Sequence, residues 1–207
     1  MISSGDALKS LAIEAALSPQ EEKLEIGQKK QKLYIGIPKE TEFQEQRVAL
    51  VPQSVGLLIA NGHKVVVETG AGENANFSDN DYSEIGAEIA YDTPEIYKAD
   101  IILKVTPPSD HEINMMKHKQ ILFSALQLTV QPKSALKNLM DKKITAIAWD
   151  YIEDEGGSFP VIRSMGEIAG TTAVLIAAEL MSNANEGKGL MLGGVAGITP
   201  PEMVIIG

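Results

Sequence analysis

The 207-residue sequence contains no cysteine, which removes a disulfide framework, a thiolate nucleophile and any cysteine-ligated zinc site from consideration. Basic residues are in deficit: 18 Lys and Arg face 28 Asp and Glu, and the resulting charge of −10 is repelled by nucleic acid and by anionic membrane surfaces. Neither is expected as a partner, and a small-molecule ligand is. Histidine is scarce, and His63, His111 and His118 lack the i, i+3 or i, i+4 spacing by which a helix presents two imidazoles to a metal, so no metal site is expected. Long apolar runs are missing too. None reaches the roughly 18 residues that span a bilayer, and near the start Glu14 interrupts the run Ser10 to Leu17, so neither a transmembrane helix nor an export signal is expected. These absences are compatible with a cytoplasmic protein.

What is present suffices for a core: 44% of the residues are hydrophobic, enough for one globular domain or one domain and part of another. Residues 1–32 read as a helical arm, with Leu8, Leu11, Ala12 and Ala15 on one face and a charged run after Pro19. From Leu33 the pattern alternates. Strands are expected at Leu33–Ile37, Lys64–Val67, Ile101–Val105, Gln120–Leu126, Ile144–Trp149 and Met203–Ile206, and helices over Val51–Asn61, Ser78–Ile85 and Lys133–Asp141. Thr93-Pro94-Glu95 reads as a cap with proline in the first helical turn. Short, nearly continuous apolar strands between helices indicate an α/β fold, a mostly parallel sheet with helices on both faces.

Gly166–Met181 is apolar nearly all round and is expected to be a long helix buried between layers. The organisation expected is therefore an arm at 1–32, a domain at 33–163, and from 164 to 207 a long helix followed by an apolar strand ending in Gly207, where a G-x-G-x-x-G pattern would open.

In such a sheet ligands bind beyond the carboxyl ends of the strands, so polar residues just after strands are the candidates. Lys104, amid Ile101, Ile102, Leu103 and Val105, requires an anion nearby because a strand buried on both faces rarely tolerates an unpaired ammonium. That anion could be a ligand, or a core carboxylate such as Asp100 or Asp150. Arg47 could grip a carboxylate with its planar fork, or pair with Glu40, Glu42 or Glu45 at the surface. Gln127 can donate and accept hydrogen bonds but cannot shuttle a proton. The glycines of Gly193-Gly194-Val195-Ala196-Gly197 are followed by Pro200-Pro201 where a phosphate-binding helix would have to begin, so they read as a turn.

These residues belong to a longer series. Ile35-Gly36-Ile37-Pro38-Lys39-Glu40 and Arg47-Val48-Ala49-Leu50-Val51-Pro52 open it; Asn61-Gly62-His63, Glu68-Thr69-Gly70-Ala71-Gly72, Phe77-Ser78-Asp79 and Gly86-Ala87-Glu88-Ile89 follow. Ala99 to Val105, Thr145 to Ala148, Glu167-Ile168-Ala169-Gly170 and Gly189 to Val195 complete it. The series resembles alanine dehydrogenases and the alpha subunit of the proton-translocating nicotinamide nucleotide transhydrogenase, over residues 33–207. The loop Glu155-Gly156-Gly157-Ser158-Phe159-Pro160 resembles the dehydrogenase form.

The resemblance implies the substrate-binding half of an NAD-dependent enzyme, NADP being open, that oxidises L-alanine to pyruvate and assembles as a homo-oligomer. It implies that Arg47 and Lys104 hold the amino or keto acid and that Met165, Gly166 and Gly207 lie near the nucleotide, with Gly207 opening the dinucleotide fingerprint of a second, Rossmann-type unit. Lys104 and Gln127 fall at catalytic positions. Related dehydrogenases usually carry a histidine at the position of Gln127, and at Gly166 a serine is common.

Overall fold

The computed structural model describes residues 32–193, 195–199 and 202–206. The expected arm and Gly207 lie outside the described residues, Lys32 apart. Six parallel strands form one sheet in the order β3-β2-β1-β4-β5-β6. They are β1 (Tyr34–Ile37), β2 (Lys64–Glu68), β3 (Glu88–Ala90), β4 (Ile101–Leu103), β5 (Ile121–Ser124) and β6 (Thr145–Ala148). The helices are α1 (Pro52–Ala60), α2 (Asp79–Glu84), α3 (Thr93–Ile96), α4 (Asp110–Met115), α5 (Lys133–Asp141) and α6 (Pro160–Met181).

The period of two along each strand sorts side chains onto two cores. Ile35, Ile37, Val65 and Val67 pack with Val55 of α1 and Tyr82 of α2 on one face. Val66, Ile102 and Leu122 pack with Ile96 of α3, Ile113 of α4, and Ala135 and Leu139 of α5 on the other. Removing a fully buried member such as Ile102 costs about 2–5 kcal/mol. Gly36 permits a close approach of backbone to backbone. A β-carbon there would lie 2.7 Å from the Ile96 carbonyl oxygen, so only glycine lets α3 settle on β1.

Several expected elements need correction. The strand β3 and the helix α4 were not anticipated, because three residues give no measurable alternation and α4 offers only Ile113 and Met115 to a helical period. The α4 signal lies in its cap: Ser109 accepts from the Glu112 N–H while Glu112 accepts from the Ser109 N–H, the reciprocal pair that starts a helix. Thr93 is the first helical residue of α3, and Asp92 precedes it as cap.

The long helix starts at Pro160, six residues before the expected Gly166, since proline is at home in a first turn. It is not buried: none of its residues is, and Leu175 keeps 67% of its surface exposed. Apolar periodicity shows that a helix has faces to cover, but the described residues supply no layer to cover them. An 18-residue window within its 22 residues reaches a mean hydropathy of 1.3, so by length and composition alone it could cross a bilayer, although no uninterrupted apolar run is that long. Glycine, serine and threonine break the run without lowering the mean much. Residues 203–206 form no strand and stand exposed, paired with neither edge of the sheet, β3 or β6. Val195 and Ile198 form an isolated antiparallel bridge with Gly197 at φ 87°, a tight turn as expected.

Candidate functional site

Chain order reverses between β1 and β4: the connections from β1 run outward to β2 and β3, and those from β4 run outward to β5 and β6. Two neighbouring loops therefore diverge at the carboxyl ends of β1 and β4 and leave a crevice between them. The loop after β1 carries Glu40 and Arg47, and Lys104 follows β4 directly, its N–H still bonded to the Phe123 carbonyl at 2.9 Å.

Glu40 spans the crevice. Its Oε1 accepts the Val105 N–H at 2.6 Å, and its Oε2 accepts the Thr106 hydroxyl at 2.5 Å and faces Lys104 Nζ at 3.3 Å. The Lys104 ammonium donates to Glu112 Oε1 at 2.6 Å, with both side chains almost wholly buried. Tyr97 donates its hydroxyl to the same oxygen at 3.0 Å, and Ser109 donates its N–H and hydroxyl to Glu112 Oε2 at 2.7 and 2.9 Å. Burial pushes the Glu112 carboxyl up, but the charge and hydrogen bond of Lys104, with the Ser109 donors, outweigh it and hold the pKa below the ordinary value. Burial, and then the negative charge of Glu112, push the Tyr97 hydroxyl far up.

Arg47 is half-exposed and forked onto Glu45, with Nε to Oε1 at 2.8 Å and Nη2 to Oε2 at 2.6 Å, while Nη1 lies 3.6 Å from Met165 Sδ of α6. The hydrogen bond from Arg47 is the main reason the Glu45 carboxyl titrates below its usual range. Arg47, Lys104 and Met165 line one cavity of about 280 Å³, walled by Leu50, Val105, Phe123, Trp149 and Val161. The Trp149 indole N–H donates to the Val105 carbonyl at 3.1 Å and fixes that wall. Tyr82 anchors the approach to α1 through the Leu50 carbonyl at 2.8 Å, and burial, with Asp81 second, raises its hydroxyl to about 12.

Gln127 is placed elsewhere. It is exposed at φ 44°, and it lines two neighbouring cavities, one of about 520 Å³ with Thr106, Ser109 and Glu112, the other of about 460 Å³ with Tyr151 and Phe159. Its N–H and that of Leu126 donate to the Asp150 carboxylate at 3.0 and 3.1 Å. Gly166 lies on α6 with nothing within 4 Å of a β-carbon built there.

A model of the family described as "Alanine dehydrogenase/PNT, N-terminal domain" matches residues 36–169. The chain belongs to this family. It is 40% identical over 176 residues to an alanine dehydrogenase of Methanococcus maripaludis, covering 84% of this chain and 47% of that protein. A solved L-alanine dehydrogenase superposes with a TM-score of 0.77 at 36% identity, over 81% of this chain and 46% of the other. A solved transhydrogenase from Sinorhizobium meliloti gives 0.52 at 30% identity, over 56% and 33%. The chain thus spans about half the length of the alanine dehydrogenases it matches.

Within this alanine dehydrogenase/PNT domain, sequence reasoning named Arg47, Lys104 and Met165, and the structure brings them to one cavity. It named the wrong partners for Lys104. Asp100 sits at the start of β4, roughly 13 Å away at strand rise, where it accepts the Tyr34 N–H, and Asp150 is taken by the turn at Gln127. Glu40 and Glu112 are the carboxylates, and the Ser109-x-x-Glu112 spacing was the available signal for the second.

The connection from β1 to α1 does not fit the phosphates of a dinucleotide. Such a group needs free backbone N–H donors at a helix start after a glycine-rich turn. In the connection from β1 the helix begins with Val51-Pro52, whose proline has no N–H, and Gly36 is filled by the close approach of α3.

Proposed function

We propose that this chain is the substrate-binding half of a nicotinamide-dependent alanine dehydrogenase, which oxidises L-alanine to pyruvate once the remainder of a longer protein supplies NAD or NADP. The observation that carries the reading is the meeting of Arg47 and Lys104 in one small, largely apolar cavity at the switch point of the sheet. Apolar walls with a few convergent polar groups suit a three-carbon acid. Higher identity and coverage support the dehydrogenase reading over the transhydrogenase one.

The two cations have different tasks. Arg47 is half-exposed in its pair with Glu45, so a substrate carboxylate entering from solvent can compete with Glu45 for the fork. Lys104 cannot leave its buried pair so cheaply, since breaking one costs roughly 3–5 kcal/mol. It therefore serves the reacting end of the substrate without letting go of its glutamates. Gln127, an amide in a neighbouring cavity, moves no proton and at most orients groups at the rim.

The test mixes the purified 207-residue chain, and separately any longer product of its gene, with L-alanine and NAD or NADP and follows nicotinamide absorbance. Turnover is expected only from the longer protein, because the β1–α1 connection offers no phosphate cradle and the chain spans about half the length of the dehydrogenases it matches. Turnover by the short chain would overturn this division of labour. The same chain is expected to bind pyruvate, and Arg47→Ala to lose that binding.

A further inference from the structure

Lys104 has three N–H donors. Glu112 takes one at 2.6 Å and Glu40 faces another at 3.3 Å, which leaves one for a ligand in the cavity that Lys104 lines. The cluster holds one ammonium against two carboxylates, a surplus of negative charge that disfavours a second anion at Lys104 and favours a neutral carbonyl.

Glu112 has one oxygen more than its helix requires. The α4 cap uses Oε2, which receives both Ser109 donors. Oε1 takes no part in the cap; it receives the Lys104 ammonium and the Tyr97 hydroxyl inside the protein. A glutamine could keep the cap through its amide oxygen, but its –NH2 would then face two donors. The chemistry of Oε1 is thus separable from the folding of α4.

We propose that Glu112 is a positioning residue of the substrate site, whose Oε1 aims Lys104 so that its remaining N–H meets the keto oxygen of an α-keto acid held on Arg47. This rests on the substrate-site reading above. Tyr97 serves the same end by fixing Oε1 from the other side.

The experiment compares pyruvate with propionate, which has the carboxylate but no keto oxygen, by equilibrium titration of the full 207-residue chain and of Glu112→Gln. In parallel, the lysine Nζ resonances are recorded by 1H–15N spectroscopy, with Lys104→Met identifying the signal. In Glu112→Gln the pyruvate affinity is expected to fall at least tenfold and the propionate affinity less than twofold, and the slowly exchanging Lys104 signal to vanish. Equal losses for the two acids, which is what a merely structural role would give, or an unchanged preference for pyruvate, would overturn the proposal. Should Glu112→Gln not fold, Tyr97→Phe decides: the pyruvate-to-propionate ratio is expected to fall two- to fivefold, and an unchanged ratio overturns the proposal. A wild-type chain that binds neither acid would overturn the substrate-site reading itself, and this proposal with it; binding of both acids with an unaltered ratio in the variants would sink only the role of Glu112.

Discussion

Lys104 and Glu112 meet at 2.6 Å with their side chains in the walls of different cavities, the lysine beside the apolar one under Arg47 and the glutamate beside the polar one under Gln127. The pair is a partition as well as an ion pair. Lys104→Met leaves two buried carboxylates without their cation and is expected to cost about 3–5 kcal/mol in urea unfolding at neutral pH. The double variant Lys104→Met/Glu112→Leu is expected to cost clearly less than the sum of the single changes. Additive costs would mean that the two groups do not interact.

The titration of Glu112 gives this a pH signature. Its folded pKa lies below the ordinary carboxylate value, so its contribution is fully present above the unfolded pKa and is lost as the pH falls through the folded one. Stability measured from pH 7 down to pH 3 is expected to fall in the acid range. In Lys104→Met this part of the acid loss is expected to shrink, because the cation that depresses the pKa has gone.

Arg47 gives the opposite profile. Its guanidinium is half-exposed, and among the described residues its ion-pair partner is Glu45, so Arg47→Ala is expected to cost about 1–2 kcal/mol, less than Lys104→Met, for the Glu45 carboxylate left without its fork. Pyruvate binding, followed by calorimetry, is expected to weaken at least tenfold. Arg47→Lys is expected to recover little of it, since a point charge does not replace a two-pronged fork. Binding that survives Arg47→Ala would remove the carboxylate anchor from the scheme.

Backbone geometry yields two further expectations. Gly36→Ala places a methyl group 2.7 Å from the Ile96 carbonyl oxygen and is expected to destabilise by about 1–3 kcal/mol, read as a lowered Tm. Gln127 sits at φ 44°, where a side chain costs roughly 1 kcal/mol, so Gln127→Gly is expected to be neutral or stabilising. A marked loss there would show that the Gln127 side chain holds its turn.

Much of this was readable from the chain. The strands β1, β2, β4 and β5 declare themselves as short β-branched or apolar runs, and α5 has the bounds that its pattern of Ala135, Leu136, Leu139 and Met140 predicts. The parallel, doubly covered sheet follows from those runs alone, and Lys104 announced a buried anion by standing among aliphatic neighbours. Its true partners were harder to read. Glu40 arrives from 64 residues earlier in the sequence, and only the strand order, which puts β1 beside β4, brings it within 3.3 Å. Glu112 is local, but its role as an anion is hidden behind its role as a helix cap. Burial of α6 was misjudged because hydrophobic periodicity reports what a helix would shed from water, not whether the described chain contains its cover.

The link that Glu40 makes between the loops after β1 and β4 bears on how fast and how faithfully a ligand can be received. Because one carboxylate is tied to two amides and a hydroxyl on the far side of the crevice, the loops after β1 and β4 are cross-linked and are expected to move together with the sheet. Adjustment on ligand entry is then left to the arginine side chain at the rim, a rotamer change on the picosecond-to-nanosecond scale rather than a slow loop rearrangement.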